Sequence, residues 1–305
     1  MDYDTLIDAE TWAFIRKTES CYPPDAVSAD IPAQRAVYDE MCRSFHAGYP
    51  DSVTARDDRA GTVPVRIYES GSPKITVIYY HGGGFVVGGL ESHDDVCAEL
   101  CDRTGARVVS VDYRLSPEFS HPAAFEDAME AASYVALTWP NSCILAGDSA
   151  GGNLAAAVAQ ASRGTMKFKG QVLIYPGLGG DMTRGSYSDH AHAPMLTLED
   201  LEFYEQVRFG GAAPKQDPTA APLVDADFSN LPPTVIITAE CDPLADDGRD
   251  YRDAIQAAGG KAHWHSEPGL VHGYLRARHS VQRARDSFDR IVAATKMLAA
   301  DEWFD

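Results

Sequence analysis

Short apolar runs alternating with helix-periodic segments organise most of this chain. Runs rich in β-branched and aromatic residues recur at Val63–Tyr68, Ile75–Tyr80, Arg107–Asp112, Cys143–Ala146, Gly170–Tyr175, Thr234–Thr238 and Lys261–Ser266. Several are almost wholly apolar, as in Val108-Val109-Ser110-Val111 and Val235-Ile236-Ile237. Strands covered on both faces read this way, so the pattern predicts a mostly parallel sheet rather than a half-exposed antiparallel one. Between them, Glu91–Thr104, Ala123–Trp139 and Leu244–Ala258 carry apolar residues at helical spacing, and Leu154–Ala161 is a small-residue helical run. Gly105 and Gly259-Gly260 stand where helices should stop.

Two regions break this rhythm. Residues 1 to about 45 hold helical patterns with Trp12, Phe14 and Tyr38 before any strand. Residues about 185 to 225 hold a capping-like Thr197-Leu198-Glu199-Asp200 and an aromatic-rich helix with Phe203, Tyr204 and Phe209. The expectation is one α/β domain over residues 1–305, a central sheet flanked by helices, with the two excursions forming a helical cap over its catalytic edge.

Composition narrows the partners. The 305 residues carry 45 acidic and 26 Lys or Arg side chains, a formal net charge of −19. Such a surface repels phosphate backbones and anionic lipid, which argues against nucleic acid and against stable membrane association. No apolar run reaches the roughly 18 residues of a membrane helix. The acidic start Met1-Asp2-Tyr3-Asp4-Thr5 lacks the basic and apolar regions of a secretory signal. The six cysteines (Cys21, Cys42, Cys97, Cys101, Cys143 and Cys241) form no C-x-x-C pair or metal-finger spacing. Free thiols and a cytoplasmic location are the expectation.

Gly147-Asp148-Ser149-Ala150-Gly151 lies where the Cys143–Ala146 run meets the Leu154–Ala161 run. Gly-x-Ser-x-Gly in a strand–turn–helix context is a nucleophile elbow, whose sharp turn leaves little room for a Cβ. A serine hydroxyl needs a base to take its proton and an acid to orient that base. In open α/β sheets such groups gather beyond the carboxyl ends of strands. In the order Ser, acid, His expected of this architecture, Asp112 comes too early. Asp242 follows Thr234–Thr238 and opens Asp242-Pro243-Leu244; its bland reading is a turn aspartate. Asp246 and Asp247 read as solvated first-turn acids favouring the helix dipole.

Among the later histidines, His263 and His265 read as strand surface, and His279 sits in an arginine-rich helical stretch. His272, in the loop Gly269-Leu270-Val271-His272-Gly273-Tyr274 after the last strand, is the best base. The pairs His190/His192 and His263/His265 lack a third ligand at motif spacing, so no metal site is expected. A second glycine cluster, His81-Gly82-Gly83-Gly84-Phe85, follows the Ile75–Tyr80 run. Glycines let backbone N–H groups approach a developing oxyanion. A phosphate loop would want Gly-Lys-Ser/Thr or a following helix, and Phe85-Val86-Val87 opposes both.

These motifs, with Asp112-Tyr113-Arg114-Leu115-Ser116-Pro117-Glu118 and Gly152-Asn153, give the chain its family resemblance over about residues 60–300. It resembles the bacterial hormone-sensitive-lipase-like esterases of the α/β-hydrolase superfamily. The resemblance implies Ser149 as nucleophile, Asp242 and His272 as its relay, and the N–H groups of Gly83, Gly84 and Ala150 as the oxyanion hole. It gives His81 and the Arg114/Glu118 segment supporting roles and places a helical cap in the two excursions. It also implies dimerisation through the last strand. Ser116 stands where Ala is usual in the family, and Asp247 where Glu is usual. The expected activity is hydrolysis of small, short-chain carboxylic esters through an acyl-enzyme, with no cofactor. An amide-cleaving relative of the arylformamidase or arylacetamide deacetylase kind would share the site, and a ligand-binding member without catalysis would lack the histidine. A histidine base also predicts that activity falls in acid as the imidazole protonates.

Overall fold

In a computed structural model of the chain, residues 1–23, 29–140 and 142–304 are described. Residues 24–28, inside the first expected cap region, lie outside the described residues, as do Asn141 and Asp305. Among the described residues, eight strands form one sheet: β1 (Thr54–Ala60), β2 (Val63–Glu69), β3 (Thr76–Tyr80), β4 (Arg107–Val111), β5 (Cys143–Asp148), β6 (Gly170–Ile174), β7 (Thr234–Cys241) and β8 (Ala262–Val271). Their order is β1-β2-β4-β3-β5-β6-β7-β8. β2 runs antiparallel to β1 and β4, and all pairings from β4 to β8 are parallel.

The apolar runs are buried on both faces, as the pattern requires. On β3, Val77 and Tyr79 enter one core while Ile78 and Tyr80 enter the other; Val235 and Ile237 on β7 likewise oppose Ile236. The first core is closed by α4 (Asp94–Thr104) and α10 (Gln282–Ala299), through Cys97, Leu100, Phe288 and Ile291. The second is closed by α5 (Ala123–Thr138), α6 (Ala150–Ala161) and α9 (Ala245–Ala257), through Ala128, Leu154, Tyr251 and Ile255.

β1 has no apolar alternation. Its sequence TARDDRA is exposed except at Ala55 and Ala60, and it exists through its backbone ladder to β2 and the directly opposed Asp57 and Arg66, bonded at 2.6 Å. Charged side chains on such an edge also discourage pairing with other chains. β8 extends five residues past Ser266. Ala239 to Cys241 on β7 faces Glu267 to Val271 on β8, a bulge in the ladder, stabilised by the Gly269 N–H donating to Glu240 at 2.7 Å. His272 therefore stands at a strand end, not in a flexible loop, and the bulge re-aims it.

The two excursions contain α1 (Tyr3–Leu6), α2 (Ala9–Glu19) and α3 (Ile31–Phe45), and α7 (Ser186–Asp189) and α8 (Leu198–Phe209). Thr197 and Asp200 form a reciprocal capping box at the start of α8. Asp246 is a partly exposed first-turn acid as the sequence suggested, but Asp247 is not solvated. Asp246 accepts from Ser186 N–H at 3.0 Å. Asp247 is 1% exposed and accepts from Leu178 N–H at 2.6 Å, Tyr187 Oη–H at 3.0 Å and Gly180 N–H at 3.4 Å. It thereby pins α9 to the segment after β6 and to α7.

Burial pushes the Asp247 carboxyl up to about 7, against the pull of those three donors. The folded chain thus holds a proton there that the unfolded chain has already released, and the associated stability is lost as pH rises through about 7. Asp247→Asn keeps the shape without the titration. Between pH 5 and pH 8 the variant should gain on the order of 2 kcal/mol relative to the parent. Thermal unfolding of both proteins at the two pH values measures this, and a difference that stays flat contradicts it.

Candidate active site

At the carboxyl end of β5 the chain turns through Ser149 at φ 54° and ψ −118° and enters α6. The turn is tight enough to exclude side chains around it: a Cβ on Gly151 would lie 1.9 Å from the Tyr80 carbonyl oxygen. Ser149 N–H donates to Ile174 O at 2.9 Å, so the adjoining strand β6 holds the elbow.

The structure brings together the three residues the sequence singled out. Asp242 follows β7 directly and is 1% exposed. Its Oδ1 accepts from Leu244 N–H at 2.9 Å, so the turn-aspartate reading also holds. Its Oδ2 lies 2.7 Å from His272 Nδ1. His272 Nε2 lies 2.8 Å from Ser149 Oγ. A carboxylate can only accept, so the imidazole proton belongs on Nδ1, leaving Nε2 to accept from the serine hydroxyl. The His272 side chain is 13% exposed, and the Tyr175 ring, centred 4.8 Å away, covers one side of it.

The glycine cluster lies beside the elbow. Gly83 and Gly84 have φ of +129° and +60°; a Cβ on Gly83 would stand 2.1 Å from Val87 O, and one on Gly84 would enter the Tyr204 ring at 2.5 Å. Among the described residues the N–H groups of Gly83, Gly84 and Ala150 donate to no protein acceptor; Ala150, first in α6, has no intrahelical partner to find. His81 is buried beneath, with Tyr113 Oη–H donating to its carbonyl at 2.7 Å. Burial and the nearby His93 push its imidazole down to about 4, which keeps it neutral above that pH.

One organising residue escaped the sequence reading, although it sits inside the pentapeptide. Asp148, 2% exposed, accepts from Tyr79 Oη–H at 2.8 Å, Gly82 N–H at 3.0 Å and Tyr175 Oη–H at 3.4 Å, and stands 3.1 Å from His93 Nε2. Burial opposes its ionisation, yet His93 and the hydrogen bonds hold its carboxyl well below the usual range. The same residue thus ties the elbow to the glycine loop. A variable-looking position within a motif gave no signal of this.

The excursions meet this loop from above. From α8, Tyr204 lies against Gly84 and the Arg208 guanidinium sits 3.5 Å from the Phe85 ring centre. From α3, Arg35 donates to Val86 O at 2.7 Å and Ser116 O at 2.8 Å and pairs with Glu118 at 2.7 Å. Arg114 pairs with Asp127 at 2.7 Å. Of the histidine pairs, His190 meets the Tyr3 hydroxyl at 3.2 Å and His263 stacks on Phe304. No cluster of three metal-ligating side chains occurs among the described residues.

Residues 77–276 match a family model described as the alpha/beta hydrolase fold. The chain belongs to that family. It is 37% identical over 256 residues to the carboxylesterase NlhH of Mycobacterium tuberculosis, covering 77% of this chain and 78% of that protein. It is 31% identical over 299 residues to an ethyl acetate hydrolase of Pseudomonas putida, covering 92% and 93%. Its fold superposes on an esterase of the bacterial hormone-sensitive lipase family with a TM-score of 0.87 at 25% identity, covering 96% of this chain and 99% of the other.

Removing the Asp148 carboxylate should strand four buried partners. Asp148→Ala is expected to lose about 3–5 kcal/mol of stability, because several buried polar groups lose their acceptor at roughly 1–3 kcal/mol each. Urea unfolding reads this directly, and a loss below about 1 kcal/mol contradicts the organising role.

Proposed function

We propose that Ser149 is the nucleophile, His272 the general base and Asp242 its orienting acid in a serine carboxylesterase of short-chain esters. The observation that carries this reading is the unbroken relay of 2.8 Å and 2.7 Å from Ser149 Oγ through His272 to Asp242. The chain is a carboxylic ester hydrolase of the α/β-hydrolase family, like the relatives it matches.

His272 Nε2 takes the serine proton as Oγ attacks the ester carbonyl. Negative charge then develops on the carbonyl oxygen, and the unbonded N–H groups of Gly83, Gly84 and Ala150 are the donors assigned to it; one such donor is worth about 3–4 kcal/mol in the transition state. Asp242 stabilises the imidazolium, which returns its proton to the leaving alcohol. Water, activated by the same histidine, then releases the acid from Ser149. Every step is carried by side chains and backbone of this chain, and none requires a cofactor.

The helices of residues 1–45 and 185–225 serve as the cap, supported by the contacts of Tyr204, Arg208 and Arg35 with the glycine loop. No helix among the described residues is long and apolar enough to cross a membrane. A cytoplasmic setting is supported by six free cysteines, five of them buried. Dimerisation through β8 is supported by its place at the sheet edge.

Ser149→Ala should reduce turnover of p-nitrophenyl acetate by at least about 10⁴-fold, as loss of a triad nucleophile does elsewhere. Retained activity overturns the assignment. A series of p-nitrophenyl esters from acetate to laurate should peak at short acyl chains, and a peak at laurate contradicts the short-chain reading.

A further inference from the structure

The turn after His272 carries a positive charge that ester hydrolysis does not use. Arg276 lies in the 3₁₀ turn Tyr274–Ala277. Its guanidinium crosses to α3, where Nη2 donates to the Tyr38 hydroxyl and Cζ lies 5.0 Å from the Tyr38 ring centre. Its Nε is buried with no hydrogen-bond acceptor, while the residue as a whole is half-buried.

Among the described residues, no carboxylate pairs with it. Arg278, two residues on, is held by Asp95 at 2.6 Å and Glu99 at 2.7 Å. Arg276 enters none of the ion pairs among the described residues; its nearest polar partners, the Tyr38 hydroxyl and the Cys42 sulfur, are neutral groups. Asp148 feels its charge but already holds Tyr79, Gly82, His93 and Tyr175. A guanidinium placed in so poor an acceptor environment bears a desolvation cost that a bound anion would offset.

Its place gives the anion a source. Arg276 Nη1 lies 3.1 Å from where a Cβ on Gly273, next to the base, would stand. Its charge also acts on Tyr175, which flanks His272, and on Tyr22 and Tyr204, the latter lying against Gly84. The charge therefore lies beside the turn that follows the base, against α3 of the first excursion. In a protein of net charge −19 the surroundings disfavour an anionic ester, and a lone guanidinium reverses that locally.

We propose that Arg276 is a specificity residue that binds a free carboxylate on the substrate, so that esters bearing a second, ionised carboxyl group near the scissile bond are the preferred class. The proposal rests on the esterase reading above. The chemistry is unchanged: water adds across one ester bond to give an alcohol and an acid, and the second carboxylate is a spectator held by the planar guanidinium fork. That carboxylate can belong to the acyl part, as in monoethyl succinate, or to the alcohol part, as in 3-acetoxypropionate.

The test is kcat/KM for both anionic esters and for their neutral counterparts, ethyl methyl succinate and ethyl 3-acetoxypropionate. It uses the parent protein, Arg276→Gln and Arg276→Lys. The parent should favour at least one anionic ester over its neutral counterpart. In Arg276→Gln that ratio should fall about 10- to 100-fold, mainly through KM, as loss of a charge-assisted hydrogen bond predicts. Arg276→Lys, which keeps charge without the fork, should fall between, and it supplies the comparison if the glutamine variant does not fold. The ester that loses more identifies the side of the scissile bond that Arg276 serves. A parent preference for both neutral esters, or a ratio unchanged within about two-fold in the variants, overturns the proposal while the esterase reading stands. Failure of the parent to cleave any of the four esters overturns the esterase reading itself.

Discussion

The buried Asp148 carboxylate is the constraint on which the site depends. Its backbone ends β5 and leads into the elbow, while its oxygens gather Tyr79 from β3, Gly82 from the glycine loop, His93 from the turn before α4 and Tyr175 from the end of β6. The proposed nucleophile and the N–H groups proposed to face the oxyanion come from distant parts of the chain. Their relative placement must be fixed to a fraction of an ångström for the transition state to be met without reorganisation. One carboxylate with four partners does this more rigidly than apolar packing would, because each bond has a preferred direction. The close approach of Gly151 to Tyr80 O completes the frame by locking α6 against β3.

The relay uses the sheet differently. Ser149, Asp242 and His272 each stand just beyond a strand end, on β5, β7 and β8, so the parallel ladder sets their spacing. The bulge between β7 and β8 adjusts the last of these. It lets a strand that covers the core also deliver an imidazole to within hydrogen-bond distance of a serine three strands further in. Helix α8 contributes contacts from the second excursion, with Tyr204 against Gly84 and Arg208 over Phe85, so that the position of α8 and the shape of the glycine loop are mechanically linked.

Much of this was legible from residue order. Strands buried on both faces announce themselves as apolar runs, and β3, β4 and β7 lie where the runs lie. Ser149, Asp242 and His272 were identified because motif and strand-end position coincide. β1 was invisible because a charged edge strand is stabilised by its ladder and by cross-strand pairs such as Asp57 with Arg66, neither of which leaves an apolar period. The end of β8 was obscured by Pro268 and Gly269, which read as a loop but form the bulge. Asp247 and Asp148 were misjudged or passed over for one reason: an acidic residue's burial depends on donors that arrive from elsewhere in the chain. No local pattern records Leu178, Gly180 and Tyr187 converging on Asp247.

In the proposed mechanism Ser149 becomes covalently bonded during turnover, activated by His272 and Asp242. Reaction with diethyl p-nitrophenyl phosphate tests it most directly, followed by mass spectrometry of the intact protein and its peptides. One diethylphosphoryl group per chain is expected, on Ser149, with p-nitrophenol released in step with loss of esterase activity. Loss of activity with no label on Ser149, or a label on any other residue, would contradict it.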